Sequence, residues 1–219
     1  MDHSAIVVYR GPSRIGRGDI VAVLSNHTPC NPSQNSKTGP MAQLWIYDAT
    51  TAAPTEANCG TCELKTSKNA YGHSCYAARL RPMRTMLERC RNKQPNLWAA
   101  VASLRRNCMP LRLGAFGDPA AIPPEYTKAL VSAARFSLGY THDWFNRRSE
   151  HLRGVCQASV ESDADMRVAH LFAWKTFRVG SGPDMFHSEV HCPGQLHKRT
   201  CLECQRCDGK RGNVYNNWH

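Results

Sequence analysis

The chain has 219 residues, 42% of them hydrophobic, and a formal net charge of +11. That length and apolar share exclude a disordered chain and a miniature fold that needs disulfides for its core. The charge favours a polyanionic partner, DNA or another nucleic acid, held by phosphate contacts and counterion release, and no run approaches the ~18 apolar residues of a membrane helix.

The opening MDHSAIVVYRG places an acid at Asp2 and has too short an apolar run for a secretory signal. A reducing, cytoplasmic setting is therefore expected, where eleven cysteines fit metal or iron–sulfur ligation better than disulfides. AIVVY (5–9) and DIVAVLS (19–25) read as short strands, and the Asn-, Pro-, Ser- and Gly-rich stretch 26–40 as a loop. MAQLWIYDA (41–49) reads as a strand. Residues 50–80 show little periodicity and carry cysteines. From Tyr76 to Arg106 the pattern is helical, as two helices divided near Pro95, with Ala77, Leu80, Met83, Met86 and Leu87 at helical spacing.

The second half alternates. Strands are predicted at 111–118, 136–142, 155–162 and 175–181, and a further one at 188–194. Helices are predicted at 123–135, with Pro at its start, and at 163–174, where Asp163 and Asp165 suit the positive end. Residues 143–152 form a short helix or loop. Strands separated by helices of this length predict βα units and a parallel sheet. The expected fold is α/β, a small or incomplete (β/α) barrel, with an open α/β sheet as the alternative. The expected layout is a barrel-like domain over 1–188 with a cysteine-bearing insertion near 55–76, and a Cys-rich metal-binding tail over 189–219 packed on it.

Two cysteine sets stand out. Cys192, Cys201, Cys204 and Cys207 offer four thiolates to one ion; Zn2+ favours closed four-sulfur sites, and a [4Fe-4S] cluster uses the same ligand count. His191 and His197 are spare ligands. Cys59, Cys62 and Cys75 form a second set with one position open, for His73, water or substrate. Cys30, Cys90, Cys108 and Cys156 have no partner spacing, and Cys108 and Cys156 are expected to be buried packing residues.

Active sites in parallel α/β folds gather at the C-terminal ends of strands. Those ends supply Asp118, then Tyr140, His142 and Asp143, then Ser159, Glu161 and Ser162, and Arg178. Asp118, Glu161, His142 and Asp143 are the candidates for acid/base or nucleophilic work; a turn role for Asp118 before Pro119 and a capping role for Asp143 compete with it. NSKTGP (35–40) lacks the upstream glycine of a P-loop, and Lys37 reads instead as a backbone-contacting cation. Arg79, Arg81, Arg84, Arg89 and Arg91 make a basic helical face. With Arg178, Lys210 and Arg211 they are the candidate nucleic-acid surface.

The ordered blocks NSKTGP, CGTCELK…CYAA, LRLGAFGDPAAIP, GYTHDW, ASVES, FRV and the terminal C-P…C-x-x-C-x-x-C resemble a family of small tailed-phage proteins over about residues 35 to 209. More weakly, a basic barrel with a C-terminal zinc site is similar to tRNA-guanine transglycosylases and to phage DNA 7-deazaguanine transglycosylases (DpdA type). That resemblance implies a phage protein acting in a bacterial host's cytoplasm. It implies exchange of guanine for a 7-deazaguanine base in DNA, with Asp118 as nucleophile and Glu161 or Asp143 as second carboxylate. The chain is shorter than those enzymes and its zinc-site spacing differs. Two further expectations stand beside it: an iron–sulfur enzyme of atypical radical type built on Cys59, Cys62 and Cys75, acting on nucleic acid, and a non-enzymatic zinc-bearing DNA-binding protein.

Overall fold

The structure is a computed structural model that describes residues 5–65, 75, 82–180, 185, 186 and 188–217, without the side chains of 82–84. His73, Arg79 and Arg81, and the side chain of Arg84, lie outside the described residues.

β1 (Ile6–Pro12), β2 (Asp19–Ser25) and β3 (Ala42–Asp48) form an antiparallel meander. From β3 onward every pairing is parallel. β4 (Leu111–Phe116) and the two-residue β5 (Ser137–Leu138) complete the first sheet. β6 (Tyr140–Thr141), β7 (Gln157–Val160), β8 (Thr176–Gly180), β9 (Glu189–His191) and β10 (Asn213–Asn217) make the second, in the order β6-β7-β8-β10-β9.

Only Gly139 separates β5 from β6. Its N–H donates to the Cys207 carbonyl (3.0 Å) and its own carbonyl accepts from Gln157 N (3.0 Å). A methyl group there would sit 2.9 Å from Leu113 Cβ and 3.1 Å from Cys156 Sγ, so the packing at this corner requires glycine. The predicted strand 136–142 is therefore broken by a bend that links the sheets. The expectation of a mixed α/β fold with parallel strands holds. A closed barrel is not found: β1 and β9 are left as edges among the described residues.

The helices lie at the crossovers. α1 (Glu56–Cys59), α2 (Pro82–Cys90) and α3 (Leu97–Arg106) fall between β3 and β4, α4 (Pro124–Ala133) between β4 and β5, and α5 (Asp163–Leu171) between β7 and β8. Side-chain caps start two of them: Asn96 Oδ1 accepts from Ala99 N (2.9 Å), and Ser162 Oγ accepts from Asp165 N (3.1 Å). β2 is apolar from Ile20 to Leu24 because both its faces are buried there. Ile20, Ala22 and Leu24 enter the main core with Leu104, Leu111, Leu113 and Leu130, whereas Val21 and Val23 join Tyr47, Phe116 and Cys90 in a second cluster packed by Met86 and Leu87. Each such buried side chain contributes roughly 1.5–3 kcal/mol.

The C-terminal stretch departs from the expected tail. β9 and β10 are strands of the second sheet, and β10 lies between β8 and β9 with Val214 and Tyr215 buried. Short helices α6 (Pro193–Leu196) and α7 (Cys201–Cys204) fill the connection. Thr38 and Lys37 carbonyls accept from the N–H groups of Leu202 (3.1 Å) and Cys201 (2.9 Å), which ties the early loop to α7. Among the described residues no helix is long and apolar enough to cross a membrane.

Candidate functional site

A cavity of about 340 Å³ runs along one face of the parallel strands, from Arg112, Phe177 and Val214 near their starts to Asp118, His142 and Glu161 beyond their C-terminal ends. Its walls follow the strand period: Arg112, Gly114 and Phe116; Leu138, Tyr140 and His142; Ser159 and Glu161; Phe177 and Val179; Val214 and Asn216.

The first cysteine set lines this cavity. Asn58, fully buried, fixes its base: Oδ1 accepts from Thr55 N (2.7 Å), Nδ2 donates to the Ile46 carbonyl (3.3 Å), and its carbonyl accepts from Asp118 N (2.7 Å). Gly117, at φ +74°, lets β4 end against this corner; a side chain there would collide with the Ile46 carbonyl oxygen. The chain then turns tightly, Cys62 N to the Cys59 carbonyl (3.1 Å), and Cys75 N returns to the Leu64 carbonyl (3.2 Å). Burial pushes the Cys59 thiol well up, and the neighbouring Cys62, Cys75 and Asp118 push it further.

The second set lines the same cavity from the opposite segment. Cys192 follows β9 and donates its N–H to Tyr215 O (2.7 Å). Cys201 and Cys204 bracket α7, which opens on a reciprocal cap between Thr200 and Glu203. Cys207 follows a left-handed residue, Gln205 at φ +55°. Burial raises the Cys207 thiol well above its usual range, with Cys201, Cys192 and Cys204 adding to the rise; Arg112 opposes it. Burial likewise raises Cys201, again opposed by Arg112.

All eleven cysteines are free thiols. Among the described residues no three His, Cys, Asp or Glu side chains converge tightly enough to hold an ion, so the expected four-sulfur centre is not preformed. The donor chemistry nevertheless fits: seven soft donors in two sets face one cavity, and burial with neighbouring thiols raises Cys59, Cys201 and Cys207, the condition a bound cation reverses. Of the remaining cysteines, Cys156 is buried as expected, but Cys108 is exposed and Cys90 is buried in its place.

The four acid/base candidates divide. His142 Nε2 lies 3.6 Å from Cys62 Sγ and 3.7 Å from Glu161 Oε1, so His142 and Glu161 meet on the cavity wall. Burial works against protonated His142, but the contacts with Cys62 and Glu161 and the charge of Asp118 outweigh it and raise the pKa. Asp118 also borders the cavity but is spent on structure: Oδ1 accepts from Ala120 N (2.9 Å) and Thr141 Oγ1 (2.8 Å), Oδ2 from His142 N (2.7 Å). Burial raises its pKa against those bonds. It clamps the end of β4 to the end of β6, Oδ1 taking two donors and Oδ2 one. Asp143 is turned away from the cavity. It braces the following turn through side chains, accepting from Arg148 Nε and Nη2 (2.9 Å each), Asn146 Nδ2 (2.6 Å) and the Ser149 hydroxyl, so the expected backbone cap is not made.

Arg178 is a further correction. It was expected to reach nucleic acid, yet it is 5% exposed and pairs with Glu189 (2.9 and 2.7 Å) and Asp163 (3.2 Å), its guanidinium over the Tyr215 ring. Strand alternation explains this: Phe177 and Val179 face the cavity, and Arg178 faces the other way. Lys210 is exposed, and exposed Arg211 pairs with Asp208 (3.1 Å). Lys37 lines the cavity with Arg112, Arg199 and Arg206, three cations the strand-end reading missed. Arg112 was within reach of it, two residues before Gly114 on a strand already assigned to the site. No family model, no curated protein and no solved structure matches this chain.

Proposed function

We propose that this protein is a metal–thiolate enzyme acting on nucleic acid, with an iron–sulfur centre held by Cys59, Cys62 and Cys75. The observation that carries the reading is that two cysteine sets, far apart in sequence, line one cavity that reaches the C-terminal ends of parallel strands. Three thiolates leave one iron of a four-iron cluster without a protein sulfur, and a bound cluster supplies one-electron chemistry at that open position. The protein's own part is binding and enclosure. Leu138, Val179 and Val214 give apolar walls that limit water, His142 and Glu161 give a polar edge, and Lys37, Arg199 and Arg206 give charges for phosphates. Cys192, Cys201, Cys204 and Cys207 would hold a second, closed centre.

One observation favours zinc in the first set instead: His142 Nε2, 3.6 Å from Cys62 Sγ, is placed to complete a three-cysteine, one-histidine site. Base exchange through Asp118 has weaker support, since that carboxylate is buried and already accepts three hydrogen bonds from the fold.

Anaerobic purification tests the reading. The expected product is brown, absorbs near ~400 nm through thiolate-bound iron, and loses iron when Cys59, Cys62 and Cys75 are changed to Ser while zinc or iron at the C-terminal set persists. A colourless protein with two equivalents of zinc, insensitive to iron and sulfide, would remove the iron–sulfur assignment.

A further inference from the structure

Arg89, from the basic helical face, borders a second pocket that shares no wall residue with the cavity. This pocket, of about 160 Å³, lies where the end of β2 meets the C-terminal turn of α2. Ser25, Asn26 and Asn31 come from the β2 end, and Arg89, Cys90 and Lys93 from α2 and the turn after it. Among the described residues no carboxylate lines the pocket, and Glu88, next to Arg89 in the chain, is not part of its wall. Cations at a helix C-terminus ordinarily serve its carbonyls. Here Arg10 does so, its Nη2 donating to the carbonyls of Cys90 (3.0 Å) and Arg91 (2.9 Å). Lys93 Nζ gives one bond, to the Ala5 carbonyl (3.1 Å), and keeps two N–H groups. Exposed Arg89 makes no hydrogen bond or ion pair among the described residues. Asn26 Nδ2 donates to the Asn31 carbonyl (3.2 Å) and keeps its second N–H. Burial holds the Cys90 thiol above its ordinary range against Lys93, Arg10 and Arg89, so it stays neutral and brings no competing negative charge.

We infer that this pocket binds one phosphate group, received by the Arg89 guanidinium and the Lys93 ammonium with Asn26 Nδ2 as a neutral donor. A guanidinium fork matches two phosphate oxygens, and an ammonium adds a point charge on a third. A carboxylate has two oxygens and would satisfy Arg89 alone; three donor groups around one pocket fit a tetrahedral anion. The volume is below the ~300 Å³ of pockets that enclose whole small molecules, so a phosphate enters and the rest of its carrier stays outside. Such a group is supplied by a nucleic-acid backbone or by free phosphate. Binding of phosphate stands by itself; only its nucleic-acid source rests on the proposed function, and neither needs a metal.

The test uses the purified full-length protein and two probes: labelled inorganic phosphate in equilibrium dialysis, and a fluorescent single-stranded DNA oligonucleotide titrated over a range of salt. Arg89→Ala and Lys93→Gln each weaken phosphate binding about ten-fold or more, the scale of a charge-assisted hydrogen bond. Arg106→Gln, which removes an exposed cation outside the pocket, leaves phosphate binding as in the wild type. Urea unfolding checks that each variant folds, and Arg89, which holds no partner, can be lost without disturbing a contact. If the same two substitutions also lower the log–log salt slope of oligonucleotide binding by about 0.7 each, the phosphate belongs to a nucleic-acid backbone. If phosphate binding falls and the slope does not, the pocket stands as a site for free phosphate. Absence of phosphate binding in the wild type, or the same affinity in both variants as in Arg106→Gln, overturns the site. A protein that binds phosphate through Arg89 but no oligonucleotide sinks the nucleic-acid reading and leaves the phosphate site standing.

Discussion

Replacing Asp118 separates two roles that sequence reading leaves together. In Asp118→Ala the N–H groups of Ala120 and His142 and the Thr141 hydroxyl lose their acceptor in a buried corner. Each buried donor left unsatisfied costs about 1–3 kcal/mol. Relief from holding a buried carboxylate offsets part of this, leaving a net loss of about 3 kcal/mol or more. For a chain of this size that is a fall in Tm of roughly 6–12 °C, at about 2–4 °C per kcal/mol. Asp118→Asn retains one acceptor oxygen and sets an amide against the remaining donors, so about 1–2 kcal/mol is expected. Urea unfolding followed by circular dichroism, together with a thermal melt, measures both. A nucleophile behaves oppositely: its removal abolishes turnover and leaves stability unchanged or improved. If Asp118→Ala melts within about 1 °C of wild type, the clamp is refuted and attack by this carboxylate returns to consideration.

Arg178→Met strands Glu189 without its cation in a buried site; a loss of about 3–5 kcal/mol in unfolding free energy is expected, with single-strand affinity of the folded fraction unchanged, and a variant that folds normally but binds DNA poorly would restore Arg178 to the interface. Gly117→Ala forces an alanine to φ +74° against the Ile46 carbonyl. It is expected to cost more than the ~1–2 kcal/mol of left-handed strain alone, whereas Gly154→Ala, also at positive φ but in open space, should cost only that strain; equal losses in parallel denaturant melts would show that the corner is not tight. Single-strand affinity should fall steeply with salt, and changing Lys37, Arg199 or Arg206 to Ala should each reduce the log–log slope by about 0.7; slopes unaltered by all three place the phosphates elsewhere.

The βα rhythm of the second half was readable because its strands are buried and its helices carry start signals, proline at α4 and the Ser162 cap at α5. The side each residue faces was harder. TFRV offers an arginine and a phenylalanine to any functional reading, and only the register of β8 against β7 decides that Phe177 enters the cavity and Arg178 the interior. β10 escaped notice because NVYNN is mostly asparagine. Its burial depends on partners supplied from afar, such as the Thr176 N–H donating to Asn213 Oδ1 (3.1 Å). The bend at Gly139 is equally silent in sequence, since it answers to Leu113 and Cys156 across the sheet. The cysteine spacings marked both thiol sets, but nothing local in either announces that they share a cavity.

The hydrogen bonds from α7 to the carbonyls of Lys37 and Thr38 carry a kinetic cost. They join segments more than a hundred and sixty positions apart, and the parallel strands between them are themselves long-range pairings, a topology that folds slowly. Throughout that interval the sulfurs destined for the cavity stand in water as ordinary thiols, open to oxidation and to mismatched metals. Recovery of competent protein should thus be governed by the reducing power and metal supply present during synthesis more than by any treatment applied afterwards.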